Sequence, residues 1–341
     1  MRFGVGIDAS LGLSFAEQGV LVRAAIERGY ESAWTPSGPP TRDGFQVCAR
    51  WADETANRDR FELGIAVVPV PLWRIASLVS QAGSVGDLSG GRFILGIGAG
   101  GIYSDEYRHS FGLPAWPAVA MMRDYTTVLR RLLAGEKVTY SGKTLTVDSL
   151  QLTAQPLDVP IYLAALGPQV LGLTGELADG VCLNWSTPDQ RSWCRARIAE
   201  GAARVGRQPS EVEVMEYVRV CIDDDEEVAR RAFTRAFMGY ALARPGASKE
   251  HGYRGHFTRM GFDEPLSAIE EMRDSGAASD QLVEAFPVDV LKQVGYFGRP
   301  EGAAGAFREL ARGLDRAVVR IIPASSGLAP AIRTMEACAQ E

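Results

Sequence analysis

The feature that most constrains this chain is an alternation. Short apolar runs rich in β-branched residues are separated by longer segments of helical period, about eight times over. A short apolar run bounded by turn residues means a strand and a period of 3.6 means a helix, so the alternation builds βα units around a parallel sheet. The strands read as Phe3–Ile7, Ser32–Thr35, Glu62–Val68, Arg92–Ile97, Pro160–Ala164, Gly180–Asn184, Val212–Val220 and Ala317–Ile322. Each is short and buried-looking, as expected for a strand covered on both faces. The fold class is α/β, a (β/α)8 TIM barrel, expected as a single domain over residues 1–341, although length alone leaves two domains open.

Helix ends are readable. Ser14 and Glu17 form a capping box and Gly29 closes that helix. A helix from Leu72 to Leu88 ends on Gly90-Gly91, Pro168 and Pro188 sit as first-turn prolines, and Ser325 is expected to cap the last helix. Three stretches exceed a minimal barrel: an insertion after the fourth strand (Gly101–Ala118), a small hairpin before the fifth (Glu136–Leu152, turning at Ser141-Gly142), and one after the seventh (Asp223–Arg299). The last is expected to hold an acidic-capped helix followed by Gly/His/Tyr-rich loops, forming a lid or subunit contact.

A net charge of −6 without a Lys/Arg block argues against a nucleic-acid surface. No stretch approaches the ~20 apolar residues of a membrane span and the start has no signal-peptide pattern, so a cytoplasmic protein is expected, with a small molecule as partner. Five scattered cysteines and three histidines offer no metal spacing, and the cysteines read as buried free thiols.

Two strands run into glycine-bearing turns. In Arg92-Phe-Ile-Leu-Gly-Ile-Gly-Ala-Gly-Gly101 the residues Gly98, Ala99 and Gly100 bring backbone amides close to a ligand. A dinucleotide fingerprint would need a helix at once and an acid about 20 residues on, whereas Tyr103, Asp105, Glu106 and Tyr107 follow. In the second turn, Ala164-Ala-Leu-Gly-Pro-Gln169, a strand passes directly into a helix N-terminus, which favours an anion. Glycine-bearing turns at barrel strand ends suit a coenzyme; an ordinary βα turn is the alternative. Gly64-Ile-Ala-Val-Val-Pro-Val-Pro71 is a strand stopped by prolines.

These pieces together, with Asp105-Glu-Tyr, Phe111-Gly-Leu-Pro114, Ala178-Asp-Gly180 and Phe297-Gly-Arg-Pro-Glu301, resemble the luciferase-like monooxygenases and their deazaflavin-dependent relatives over roughly residues 1–325. The resemblance implies a barrel with the coenzyme ring at its C-terminal mouth, and often a homodimer. It implies a non-prolyl cis peptide at Ala66-Val67 behind the ring of coenzyme F420. It assigns coenzyme contact to Gly98, Ala99, Gly100, Ala164, Ala165, Leu166, Gly167, Pro168 and Gln169. The Gly167-Pro168 pair points to F420; FMN-binding relatives more often place Ser or Thr there, and this turn has none before Thr174. The implied activity is hydride exchange between F420 and a small organic substrate, with an FMN-dependent monooxygenase or a non-catalytic coenzyme-binding protein as alternatives. Acid–base residues that F420 dehydrogenases of the family carry are absent: the positions read Ser37-Gly38 and Gly101. Asp8 and Tyr103 are the catalytic candidates, with Asp105, His109 and Glu216 as further proton-carrying groups. Trp34 reads as barrel core, and His251 and His256 could reach the mouth from the lid or lie in a flexible loop.

Overall fold

A computed structural model of the protein describes residues 1–38, 42–58, 60–152, 156–245 and 248–339. Its strands are β1 (Arg2–Gly6), β2 (Ser32–Thr35), β3 (Glu62–Pro69), β4 (Phe93–Gly98), β5 (Val138–Ser141), β6 (Thr146–Leu150), β7 (Ile161–Ala164), β8 (Gly180–Asn184), β9 (Glu213–Ile222), β10 (Gly295–Gly298) and β11 (Arg316–Ile321). Eight of them close a parallel ring in the order β9-β11-β1-β2-β3-β4-β7-β8 and back to β9. The barrel and its eight expected strands are present, each within a residue or two of its expected position. A helix follows each barrel strand: Phe15–Glu27, Gly44–Glu54, Ile75–Leu88, Ala118–Leu133, Pro168–Leu177, Pro188–Arg204, Ala303–Leu310 and Leu328–Ala337.

Local chemistry accounts for most helix ends. Ser14 and Glu17 cap each other's backbone, and Thr187 accepts from Gln190 N ahead of Pro188. Ser325 does not cap the last helix. Gly327 holds that position, because its amide is drawn to Leu11 O at 2.9 Å.

The main core lies between strands and helices. Inside the ring, Trp34, Ile94, Tyr162, Cys182, Met215, Tyr217 and Val318 form a second cluster, so Trp34 is core as read. Such large rings fit because glycine faces them: a Cβ on Gly64 would sit 2.2 Å from the Trp34 ring. At the base, the wholly buried Arg316 meets Glu213 at 2.7 Å and Glu62 at 2.5 Å, while Tyr162 donates to Glu213 at 2.7 Å.

All three expected insertions are found. The hairpin β5–β6 is antiparallel and seated on the buried Asp124, which accepts from Tyr140 Oη and Thr144 N at 2.8 and 2.7 Å. After β4 comes the helix Asp105–Phe111, capped by Ser104. After β9 the expectation of loops is overturned: helices span Glu226–Ala241, Gly252–Arg259, Asp263–Asp274, Ser279–Ala285 and Val288–Val294, while residues 246 and 247 lie outside the described residues. Burial of Arg254, His256 and Phe257 overrides the poor helix propensity of this glycine-bearing stretch. Gly255 is there for space, since a Cβ would lie 2.1 Å from Glu250 O. These helices share a core of their own, with Phe233, Phe237, Phe257 and Phe286 around Trp185. The insertion returns through β10, which pairs with Arg219–Ile222 of β9 beyond the end of β8.

Candidate active site

The C-terminal ends of the strands form the mouth, where a TIM barrel carries its chemistry. On one wall, β3 gains a residue relative to β4 between Ile65 and Val68, and the peptide bond Ala66-Val67 within this bulge is cis. The next carbonyl along, Val67 O, accepts from Ser37 N at 3.4 Å. A Cβ placed on Gly98 would lie 2.7 Å from Val67 Cγ2 and 3.2 Å from Ala164 Cβ. The ends of β3, β4 and β7 therefore meet in a shelf of small residues. Gly100, at φ +59, turns the chain away, and Tyr107 and Pro69 occupy the space its side chain would need.

The turn after β7 completes this wall. Ala165 is buried, and Gly167 and Pro168 open the helix with no side chain capping its first-turn amides. Gln169 is exposed, and Leu166 O accepts from Arg259 Nη2 of the insertion at 2.7 Å. Thr174 is turned away: it is buried and its hydroxyl donates to Val170 O at 2.8 Å.

Polar side chains furnish the opposite wall. Asp8 follows β1, accepts from Ser10 N at 2.9 Å, and is ion-paired with Arg320 of β11. The Tyr217 ring crosses the interior against Gly6, whose Cβ would come 3.0 Å from it, with the Arg320 guanidinium 5.2 Å from its centroid. Burial drives the Tyr217 phenol well above its ordinary value, so it stays protonated. Asn184 Nδ2 donates to Tyr253 Oη of the insertion at 2.5 Å. Arg320 Nη1, Tyr217 Oη and Asn184 Oδ1 are buried without a hydrogen-bond partner.

The other candidates separate cleanly. Tyr103 stands on the outer rim, 60% exposed. Asp105 pairs with Arg108 and His109 is exposed, both on the helix after β4. Glu216 faces the helix layer, not the mouth, and is buried against Arg191 at 2.8 Å and Ser186 N at 2.6 Å. His251 is exposed, whereas His256 is buried within the insertion, 3.0 Å from Trp185 O. The five cysteines are free and buried, and no group of three or more potential metal ligands occurs among the described residues. No helix among them is long and apolar enough to cross a membrane. A separate cavity of about 880 Å³, lined by Trp193, Arg259, Lys292 and Tyr296 among others, opens on the flank and touches none of the shelf residues.

Sequence reasoning missed Tyr217, Arg219 and Arg320. The available signal was parity: Met215, Tyr217 and Arg219 share one face of β9, and a charge on the inner face of an apolar strand is unusual.

A family model described as luciferase-like monooxygenase matches residues 1–316. The chain belongs to that family. This luciferase-like protein is 32% identical over 210 residues to 5,10-methylenetetrahydromethanopterin reductase of Methanolobus tindarius, an alignment spanning 62% of this chain and 63% of that one. It is 28% identical over 255 residues to an F420-dependent glucose-6-phosphate dehydrogenase of Nakamurella multipartita, spanning 71% and 74% of the two chains. The solved structure of a coenzyme F420 dependent tetrahydromethanopterin reductase from Methanopyrus kandleri aligns with a TM-score of 0.79 over 98% of this chain and 97% of that one. At 23% identity that likeness speaks for the fold.

Proposed function

We propose that this protein is an oxidoreductase that uses coenzyme F420 and exchanges a hydride with a small organic substrate. The observation that carries the reading is the shelf at the mouth, where Ala66-Val67, Gly98 and Ala164 meet without a large side chain between them. A planar ring fits such a surface, and the cradle would be filled by a Cβ on Gly98. The curated relatives that use F420 support the same coenzyme. So does the turn at Gly167-Pro168, where first-turn amides are open to an anion and the nearest hydroxyl, Thr174, is already spent on the backbone.

The deazaflavin, when bound, supplies the two-electron chemistry. The protein's part is position and the accompanying proton. Ala66, Val67, Gly98, Ala99 and Gly100 would back the ring, and Ala164 through Gln169 would hold the coenzyme's anionic end. Asp8, fixed by Arg320 and Ser10, takes up or returns the proton, and Tyr103 offers a phenol from the rim. Asn184 and Tyr217 bring unpartnered polar atoms to whatever fills the mouth.

Equilibrium binding of F420 and of FMN to the purified protein tests the assignment, followed by turnover on a panel of enones, imines and aldehydes. F420 is expected to bind and to be turned over. Binding of FMN alone would replace the reading with a flavin monooxygenase, and F420 binding with no turnover would leave a coenzyme carrier.

A further inference from the structure

Four arginines among the described residues are more than nine-tenths buried, and one differs from the rest. Arg191 meets Glu216 at 2.8 Å, Arg254 meets Glu270 at 2.9 Å and Arg316 meets Glu213 at 2.7 Å. Arg219, 4% exposed, meets no carboxylate among the described residues. Its guanidinium lies 3.8 Å from the Trp185 ring centroid and 5.4 Å from that of Tyr240, and it donates to Tyr217 O at 3.1 Å. Rings, a carbonyl and a hydrogen bond with the Tyr240 side chain steady the cation, but none of them neutralises it, and an unpaired buried charge is costly.

Its position says what the charge is for. Arg219 shares the inner face of β9 with Met215 and Tyr217 and is the register partner of Arg320 on β11. Two arginines thus stand on neighbouring strands at the mouth with one acid, Asp8, paired to Arg320, and Arg320 Nη1 is itself buried and unpartnered. In the ring, β9 lies four strands from β3 in either direction, so this positive wall faces the shelf across the mouth.

We propose that Arg219, with Arg320 beside it, receives an oxyanion of the substrate, which makes the substrate a small carboxylate or phosphate ester and not a neutral molecule. This rests on the reading of the mouth as the place of hydride transfer. The planar fork of arginine suits both oxyanions, and a low-dielectric site strengthens the pairing.

The test uses the full chain with and without F420, titrated with inorganic phosphate and with acetate by calorimetry, alongside Arg219→Met, Arg219→Lys and Arg191→Met. Saturable anion binding is expected in the wild type, weakened about ten- to a hundredfold in Arg219→Met and partly kept in Arg219→Lys, with F420 affinity unchanged. Tighter phosphate binding selects the phosphate ester and tighter acetate binding the carboxylate. Equal anion affinity in Arg219→Met, or no anion binding by the wild type, overturns the proposal. So does loss of F420 affinity in that variant, which would give the arginine to the coenzyme. A fall in Tm as large as that of Arg191→Met, or failure to fold, would make Arg219 structural and overturn it as well. Should F420 fail to bind while anions still bind through Arg219, the coenzyme assignment falls and the anion site stands.

Discussion

At the base of the barrel, Arg316 is wholly buried and answered by Glu62 and Glu213, with Arg2 reaching the same two carboxylates from outside. At the mouth, Arg219 is almost as buried and meets rings, a carbonyl and the Tyr240 side chain but no carboxylate among the described residues, while Tyr217, Asn184 and Arg320 keep polar atoms without partners. The same ring of strands thus meets its buried guanidinium with two carboxylates at one end, though Arg316 Nη1 has no partner, and leaves polar groups of several residues open at the other. Satisfied groups hold a fold together, and unsatisfied ones are tolerated where a ligand completes them.

The sharpest way to break this contrast is at the base. Arg316→Met strips two carboxylates of their buried partner, and we expect it to cost about 3–5 kcal/mol in denaturant unfolding. Arg219→Met in the same assay is expected to cost about 1 kcal/mol or less, chiefly its ring contacts; equal losses would erase the distinction between the ends.

Next in size is a pH effect on the insertion that covers the mouth. Burial pushes His256 down to about 4, below an unfolded value of about 6.5. The folded protein holds it neutral, so its contribution is complete above pH ~6.5 and is lost as the pH falls towards 4, by roughly 3 kcal/mol in all. Unfolding curves across that window should show the decline in the wild type and a flatter profile in His256→Gln.

A smaller effect on stability, but a selective one, is expected from glycine substitutions on β4. Gly96→Ala would press a Cβ to 2.2 Å from Ile65 O and should lower Tm by several degrees. Gly98→Ala meets side chains only, so the chain should fold and lose coenzyme affinity by about tenfold or more, read by F420 fluorescence titration. Tyr103→Phe, on the open rim, should change turnover least, by less than about tenfold.

How much of this was legible in the sequence follows from the kind of signal each part leaves. Barrel strands announce themselves through apolar runs and the turns between them, so all eight were found. The shelf was legible through the family resemblance, in Ala66-Val67 and Gly98, because small residues at a strand end are a local pattern. The polar wall was not, since it is assembled from β1, β8, β9 and β11 and only closure of the ring brings Asp8 to Arg320 and Arg320 to Arg219. Glu216 shows the cost of a single residue of parity: next to Tyr217 in the chain, it points to the opposite face of the sheet. Of the insertion's helices the first was legible, whereas Gly252–Arg259 was hidden by glycine-bearing, weakly helical sequence that packs against Phe237 through Phe257.

Strand β9 outruns β8, and the four residues of β10 take up its free edge, so that Asp223 N, just beyond β9, donates to Gly298 O at 3.1 Å. Departure and return points of the whole excursion are thereby clasped together. A segment with clasped ends can be exchanged as a cassette: a sister cap that also covers Trp185, Cys221 and Ile322 of the cylinder could be spliced between these two residues, giving protein engineers a natural seam.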